Sequence, residues 1–281
     1  MKAIKIDFRP DLNYKSLYYI TTSISRVVMK NKLFWMVLIL WGCVSSCQQP
    51  NKTGQSDSVD TSTTEIVVDN VLSAAEKDDG WVLLFDGASI SYHWHKYNSE
   101  GLNKNWVIDD GAIHFNPDHG DGGDLTSNQS YKNFELKLDW KIQDCGNSGI
   151  MYNVQEGENY DYPWLTGPEM QILDASCHSD GKIDKHRAGD LYDLIECSEV
   201  TVKPAGEWNS IKIVSNQGEY EFWQNEVKVV SYTMHTDEWD DMVAGSKFVE
   251  MSDFGKFREG KIVLQDHTDR VWFKNIKIRT L

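Results

Sequence analysis

Residues Phe134 to Ile142 alternate without a break: Phe134, Leu136, Leu138, Trp140 and Ile142 are apolar, and Glu135, Lys137, Asp139 and Lys141 between them are charged. Successive side chains of an extended chain point to opposite faces, so the segment fits an antiparallel strand with one buried and one wet face. As a helix, the same residues would scatter charge around every side. The pattern therefore demands a sheet with a core on one side only.

Shorter segments repeat the theme. Trp81 to Phe85 is an apolar run that stops at Asp86-Gly87. Trp106 to Ile108 and Ala112 to Phe115 flank Asp109-Asp110-Gly111, a hairpin signal because glycine accepts positive φ. Strands are further expected at Ile150 to Val154, Glu169 to Leu173, Trp208 to Val214, Tyr220 to Trp223, Val227 to Tyr232, Lys261 to Asp266 and Val271 to Arg279. Gln217-Gly218 and Gln224-Asn225 sit where turns are needed. A helical turn is expected around Thr236 to Ala244, and little else reads as helical. Many strands joined by short turns predict an all-β fold, a jelly-roll β-sandwich rather than a parallel α/β sheet.

The ends carry a different message. Leu33 to Trp41 is a short apolar run preceded by Lys30 and Lys32 and followed by small residues up to Cys47, the layout of a secretory signal too short to span a bilayer. Val44-Ser45-Ser46-Cys47 resembles a bacterial lipobox, in which the cysteine is acylated; Cys43 is the poorer choice because Trp41 stands two residues before it. Met29-Lys30-Asn31-Lys32 has the character of a normal start, so translation is expected to begin at Met29. Residues 1–47 thus read as signal and lipidation site, 48–77 as a polar, disordered tether, and 78–281 as the folded domain. The expected location is the cell envelope, with the membrane met only through the lipid anchor.

The chain carries 43 acidic against 28 basic residues, a net charge of −15, and seven of the basic ones precede Cys47. Such a surface repels nucleic acid and anionic lipid and is compatible with a neutral partner such as a sugar. Cys145, Cys177 and Cys197 permit at most one disulfide among them. Cys177, His178, His186 and Cys197 have zinc-compatible chemistry without a standard ligand spacing.

Period two also groups polar residues. If Met170 and Ile172 point into the core, Glu169 and Gln171 share the other face. Burying Ile262 and Leu264 puts Gln265 and His267 on their outer face, and burying Ile150 and Tyr152 sends Asn147 and Asn153 outward. Three strands thus offer Asn, Glu, Gln and His away from their apolar sides, as suits the concave face of a jelly roll that holds a sugar. Of the aromatics able to stack on a sugar ring, Trp94, Tyr160, Trp164 and Trp239, Trp164 is singled out by its place in a loop just before Glu169.

Six segments in order carry a resemblance: Trp81 to Gly87, Gly123-Asp124-Leu125, Gly146-Asn147-Ser148-Gly149-Ile150, Gly167 to Asp174, Lys203 to Asn209, and Leu264-Gln265-Asp266-His267. Together they resemble the 3-keto-disaccharide hydrolase family over about Gly80 to Leu281. The resemblance implies a concanavalin A-like jelly roll, common in lipoproteins of the Bacteroidetes type, that acts on glycosides already oxidised at C3, some relatives resembling 3-keto-glucoside 1,2-lyases. Two positions depart from the common pattern: Asn153 stands where many members carry Arg, and Lys274 replaces a common Arg.

A C3 ketone acidifies the C2 proton, so a base can remove it and the enolate can expel the C1 substituent; water addition then gives net hydrolysis. Such a site needs a base, a stabiliser for the enolate oxygen and an acid. Glu169 and His267 are the candidate base and acid, in an order left open. In the loop His186 to Asp193, Arg187 is the candidate enolate stabiliser, His186 a proton shuttle or metal ligand, and Tyr192 a substrate contact together with Asn147, Gln171, Gln265 and Trp164. The bland alternative pairs Arg187 with Asp190 or Asp193 and leaves His186 on the surface. No cofactor is required; a divalent cation held by His and carboxylate oxygen would steady an enolate directly, with no ligand set assigned. The chain lacks a Gly-rich dinucleotide fingerprint, so a separate sugar 3-dehydrogenase is expected upstream.

Two other readings compete. A lectin-like binding module would need the aromatics and amides but no proton-exchanging pair. A conventional jelly-roll glycosidase needs two carboxyl groups on one face, and Gln171 occupies the same-face position beside Glu169.

Overall fold

The computed structural model describes residues 68–120 and 122–281; the leader, Cys47 and most of the expected tether lie outside the described residues. Among the described residues no helix is long and apolar enough to cross a membrane.

Among the described residues, two antiparallel sheets are built from thirteen strands. The larger contains β1 (Val82–Leu83), β3 (Trp106–Asp109), β4 (Ala112–Phe115), β6 (Phe134–Ile142), β9 (Asn209–Asn216), β10 (Glu219–Gln224), β11 (Val227–Thr233) and β13 (Val271–Thr280). Its order is β11-β10-β9-β6-β13-β4-β3, with β1 against β13. The smaller sheet has the order β2-β5-β12-β7-β8, from Trp94–Lys96, Leu125–Ser127, Lys261–Leu264, Asn147–Val154 and Glu169–Leu173. All-antiparallel pairing with long excursions between the sheets is the jelly-roll sandwich that the alternation predicts.

Strand β6 behaves as its sequence requires. Its five apolar residues are at most 2% exposed, while Lys137, Asp139 and Lys141 stay partly wet. Phe134, Leu136 and Trp140 belong to the same core as Ile150, Tyr152, Met170, Ile172, Ile262 and Leu264 of the smaller sheet. The helix α2 (Asp237–Ala244) is capped by the Thr236 side chain, which accepts from Trp239 N, and buries Trp239 in that core.

Three local features differ from the sequence reading. Strands β2 and β5 were not anticipated, being only three residues long. Residues from Val68 onward already belong to the domain rather than to a tether: Asn70 is buried, exchanges hydrogen bonds with Asn275 and donates to Gly111 O, and a Ser73–Glu76 capping box starts α1 (Ala74–Asp78). Asn153 does not point outward. Its φ is 56° and the β7–β12 register shifts there, a bulge that turns two successive side chains, Tyr152 and Asn153, to the core. Asn153 Nδ2 donates to Tyr220 Oη of the opposite sheet at 2.7 Å, and Val154 takes the outward position beside Met151.

One disulfide, Cys145–Cys177, ties the turn before β7 to the loop after β8, and Cys197 remains a buried thiol. The sequence separation across the bridge is 32. Closing a loop of that size stabilises the fold by about 3–4 kcal/mol in the chain-entropy model. Replacing both cysteines by serine is therefore expected to lower the urea midpoint by a corresponding amount; an unchanged midpoint would mean that the hydrogen bond from Cys145 N to Asp174 holds this corner without the bridge.

Candidate active site

On the outer face of the smaller sheet the register aligns four strands. Gln265, just beyond β12, lies between Asp124 and Gly149, and Gly149 pairs with Gln171. In the next row Val263 lies beside Met151, which pairs with Glu169. The face that alternation assigned to Glu169, Gln171, Gln265 and Asn147 is thus one continuous surface.

Gly149 gives Glu169 its position. A Cβ on Gly149 would stand 1.8 Å from Glu169 Oε1 and 2.5 Å from Cδ. The Glu169 side chain therefore leans diagonally across β7 into the space a larger residue would fill. Its carboxyl is buried, with 7% exposure, and accepts no hydrogen bond from a described residue. Burial pushes the carboxyl up to about 8, against the pull of the Lys247 ammonium and with further upward pressure from Asp124 and Asp180.

Glu169 opens into a cavity of about 320 Å³, within the range of small-molecule clefts. Asn147, Gln171 and Gln265 share its floor, His267 and Trp164 its sides, and Tyr192 comes from the loop after β8. Lys247, Phe248 and Met251, from the segment after α2, complete it. Asn147 Oδ1 and Gln265 Oε1 are buried without partners, and a buried unpaired oxygen is costly unless a ligand satisfies it. His267 is solvent-accessible, with its Nε2 3.5 Å from Asn147 Nδ2. The flanking Asp266 side chain, which accepts from Gly123 N and Thr268 N, fixes the turn that carries it.

The loop His186 to Asp193 divides. Tyr192 reaches the cavity, while His186 and Arg187 do not line it. The Arg187 guanidinium pairs with Glu196, and its main chain is held by Asp190, so it is spent within the loop. His186 is buried rather than on the surface: its ring lies 4.3 Å from that of Tyr192, and Nε2 pairs with Asp193 Oδ1 at 2.9 Å. The cation of the cavity is Lys247, which sequence reasoning missed. No periodicity marks it, because it follows α2 in an irregular segment. Of the other aromatics, Trp94 and Trp239 are core residues and the Tyr160 hydroxyl bonds Asp253.

Metal-ligand chemistry is poorly represented. Among the described residues one group of such side chains converges, Cys145, Asp174 and Cys177, and its two sulfurs are joined to each other. His178 and His186 do not gather with Cys197. A larger depression, about 840 Å³, lies on the outer face of the other sheet. Its lysines are paired with carboxylates, Lys137 and Lys212 with Glu135 and Lys277 with Glu76, so among the described residues it presents no free ammonium.

A polar sheet face with one buried, unpaired acid in a cleft is the arrangement of a site that can bind a small polar molecule and exchange a proton with it. Residues 80–279 match the family described as the 3-keto-alpha-glucoside-1,2-lyase-like domain. A Bacteroides thetaiotaomicron protein named 3-keto-disaccharide hydrolase is 34% identical over 277 residues, 85% of this chain and 95% of that one. A crystal structure from Parabacteroides distasonis assigned to the glycosyl hydrolases matches with TM-score 0.71 and 36% identity, covering 76% of this chain and 100% of that one. A second from the same organism matches with TM-score 0.52 and 25% identity over 67% and 99% of the two chains. The chain belongs to the 3-keto-alpha-glucoside-1,2-lyase-like family and is an enzyme that cleaves glycosidic bonds.

A buried acid of this kind costs stability where it ionises. Because the Glu169 carboxyl is raised from 4.5 to about 8 by folding, the folded state loses stability as pH rises through that interval. Glu169→Gln removes the penalty. The variant's stability advantage over the parent should grow between pH 4.5 and 8 and level off above, as read from urea midpoints. A pH-independent difference would contradict the raised pKa.

Proposed function

We propose that the protein cleaves the glycosidic bond of 3-keto-glycosides, 3-keto-disaccharides or 3-keto-glucosides, by removal of the C2 proton and elimination at C1, with or without water addition. The observation that carries this reading is the isolation of Glu169: among the described residues it is the only carboxylic acid lining the cavity. A general base works best with a pKa near the working pH, and burial brings Glu169 there. Ordinary glycosidases need a second carboxyl across the scissile bond. Asp124 shares the face, but it is buried beyond Gln265, accepts from Asp266 N and does not open into the cavity.

In this mechanism Glu169 takes the C2 proton and His267, at the accessible mouth, gives a proton to the departing C1 oxygen. Asn147 and Gln265 offer their unpartnered oxygens to sugar hydroxyls, and Trp164 packs along the ring or its leaving group. The family name and the relative named for a 3-keto-disaccharide support the substrate class. Oxidation at C3 is assigned to a separate dehydrogenase, and attachment to the envelope to a lipid on Cys47.

Incubating the purified protein with a 3-keto-glucoside and with its unoxidised parent, with and without chelator, and following products by NMR tests the proposal. Cleavage of the keto sugar alone is expected, and Glu169→Gln should lower kcat/KM by about a hundredfold to ten-thousandfold. Cleavage of the parent glucoside, or tight binding of ordinary glycans without turnover, would overturn it. The chelator arm reports whether a divalent ion takes part.

A further inference from the structure

We propose that Lys247 is the group that holds the C3 oxygen of the substrate while Glu169 removes the C2 proton, an assignment that rests on the elimination reading above. Proton removal leaves negative charge on that oxygen, in a cavity lined by the Glu169 carboxyl, with the carboxyl groups of Asp124, Asp180 and Asp193 acting on Glu169 or Lys247 through space. Lys247 is the one lysine or arginine among the residues lining the cavity.

The geometry keeps its ammonium available. Nζ lies 3.7 Å over the Tyr192 ring, and no described carboxylate comes within ion-pair distance of it. Burial lowers the pKa of Lys247 from the ordinary lysine value, and the aromatic face, with the carboxylates around it, opposes that loss without consuming its N–H donors. Glu169 and Asp193 draw on the ammonium only through space. Arg187, in contrast, is bound to Glu196.

A two-residue bracket locks Lys247 to Glu169. Tyr192 N donates to the Glu169 carbonyl oxygen at 3.0 Å, which fixes this bracket on the strand that carries the base. The next residue, Asp193, accepts from Lys247 N at 2.9 Å through Oδ2 and pairs with His186 Nε2 at 2.9 Å through Oδ1. His186 thereby becomes a positioning residue: it orients Asp193, and Asp193 sets the backbone of Lys247. The same frame holds both charges that the reaction needs.

In the step itself the C2–H bond breaks and its proton passes to Glu169. The electron pair becomes the C2–C3 double bond, and the carbonyl pair moves to the C3 oxygen. Lys247 donates a hydrogen bond to that oxygen without giving up its proton. Return of the pair restores the ketone, forms the C1–C2 double bond and expels the C1 oxygen, which leaves with a proton.

Lys247→Met, Lys247→Arg and Lys247→Cys, the last before and after alkylation with bromoethylamine, test the assignment on a 3-keto-glucoside. Losing one preorganised donor to a developing oxyanion costs about a hundredfold to a thousandfold in kcat. Lys247→Met should show such a loss, mainly in kcat. It should also move the acidic limb of the pH–rate profile to higher pH, because the ammonium holds the Glu169 carboxyl down. Lys247→Arg should recover part of the rate, and alkylation of Lys247→Cys should restore activity to the same folded molecules; among the described residues the other thiol, Cys197, is buried, and alkylating the parent protein in parallel accounts for Cys43 and Cys47. Near-normal kcat in Lys247→Met, an unmoved limb, or no recovery on alkylation would overturn the assignment. If the parent protein cleaves no 3-keto-glucoside, the elimination reading itself falls; if the parent is active and Lys247→Met matches it, only the role of Lys247 does.

Discussion

A carboxyl group pressed against a glycine in the middle of a sheet is the constraint around which this site is organised. Glu169 can lie across β7 only because Gly149 has no side chain, and it remains unpaired because both cross-strand neighbours of Gly149 are amides. Gln171 and Gln265 can accept or donate hydrogen bonds but bring no charge to neutralise it. A methyl group at position 149 or a lysine at either flanking position would abolish the raised pKa, by displacement or by pairing. The site's chemistry thus rests on what three neighbouring positions omit.

The two sheets divide their labour. The larger one spends its outer face on cross-strand ion pairs and lysine–tryptophan contacts such as Lys212 over Trp223 and Lys141 between Trp208 and Trp272. The smaller sheet buries both faces of β7, one against the core and the other beneath loops, and burial on the loop side creates a low-dielectric cleft where one acid and one ammonium are worth more than they would be in water. The disulfide corner and the Tyr192-Asp193 bracket hold those loops in place.

Much of this arrangement is legible in the sequence because sheets obey a period of two. The β6 alternation locates the core, and the same rule turns Glu169 and Gln171, Gln265 and His267, and Asn147 to the outer sides of their own strands; that those strands adjoin is set by the pairing. The rule failed at Asn153, where an extra residue in β7 reverses the parity, and nothing in the local residues announces a bulge. It had no purchase on irregular segments. Lys247, Phe248 and Met251 reach the cavity from a stretch without periodicity, and Arg187 and His186 were placed by residue type, which does not reveal that Glu196 and Asp193 claim them. The tether boundary was misplaced because Asn70 is bound by side-chain hydrogen bonds to Asn275 and Gly111, which composition does not register.

If bond cleavage begins with loss of the C2 proton to Glu169, the fate of that proton in deuterium oxide reveals it. With a 3-keto-glucoside in deuterated buffer, an unsaturated product should lack the C2 hydrogen and a hydrated product should carry deuterium at C2. A hydrolysed product that keeps its original C2 hydrogen throughout turnover would contradict it.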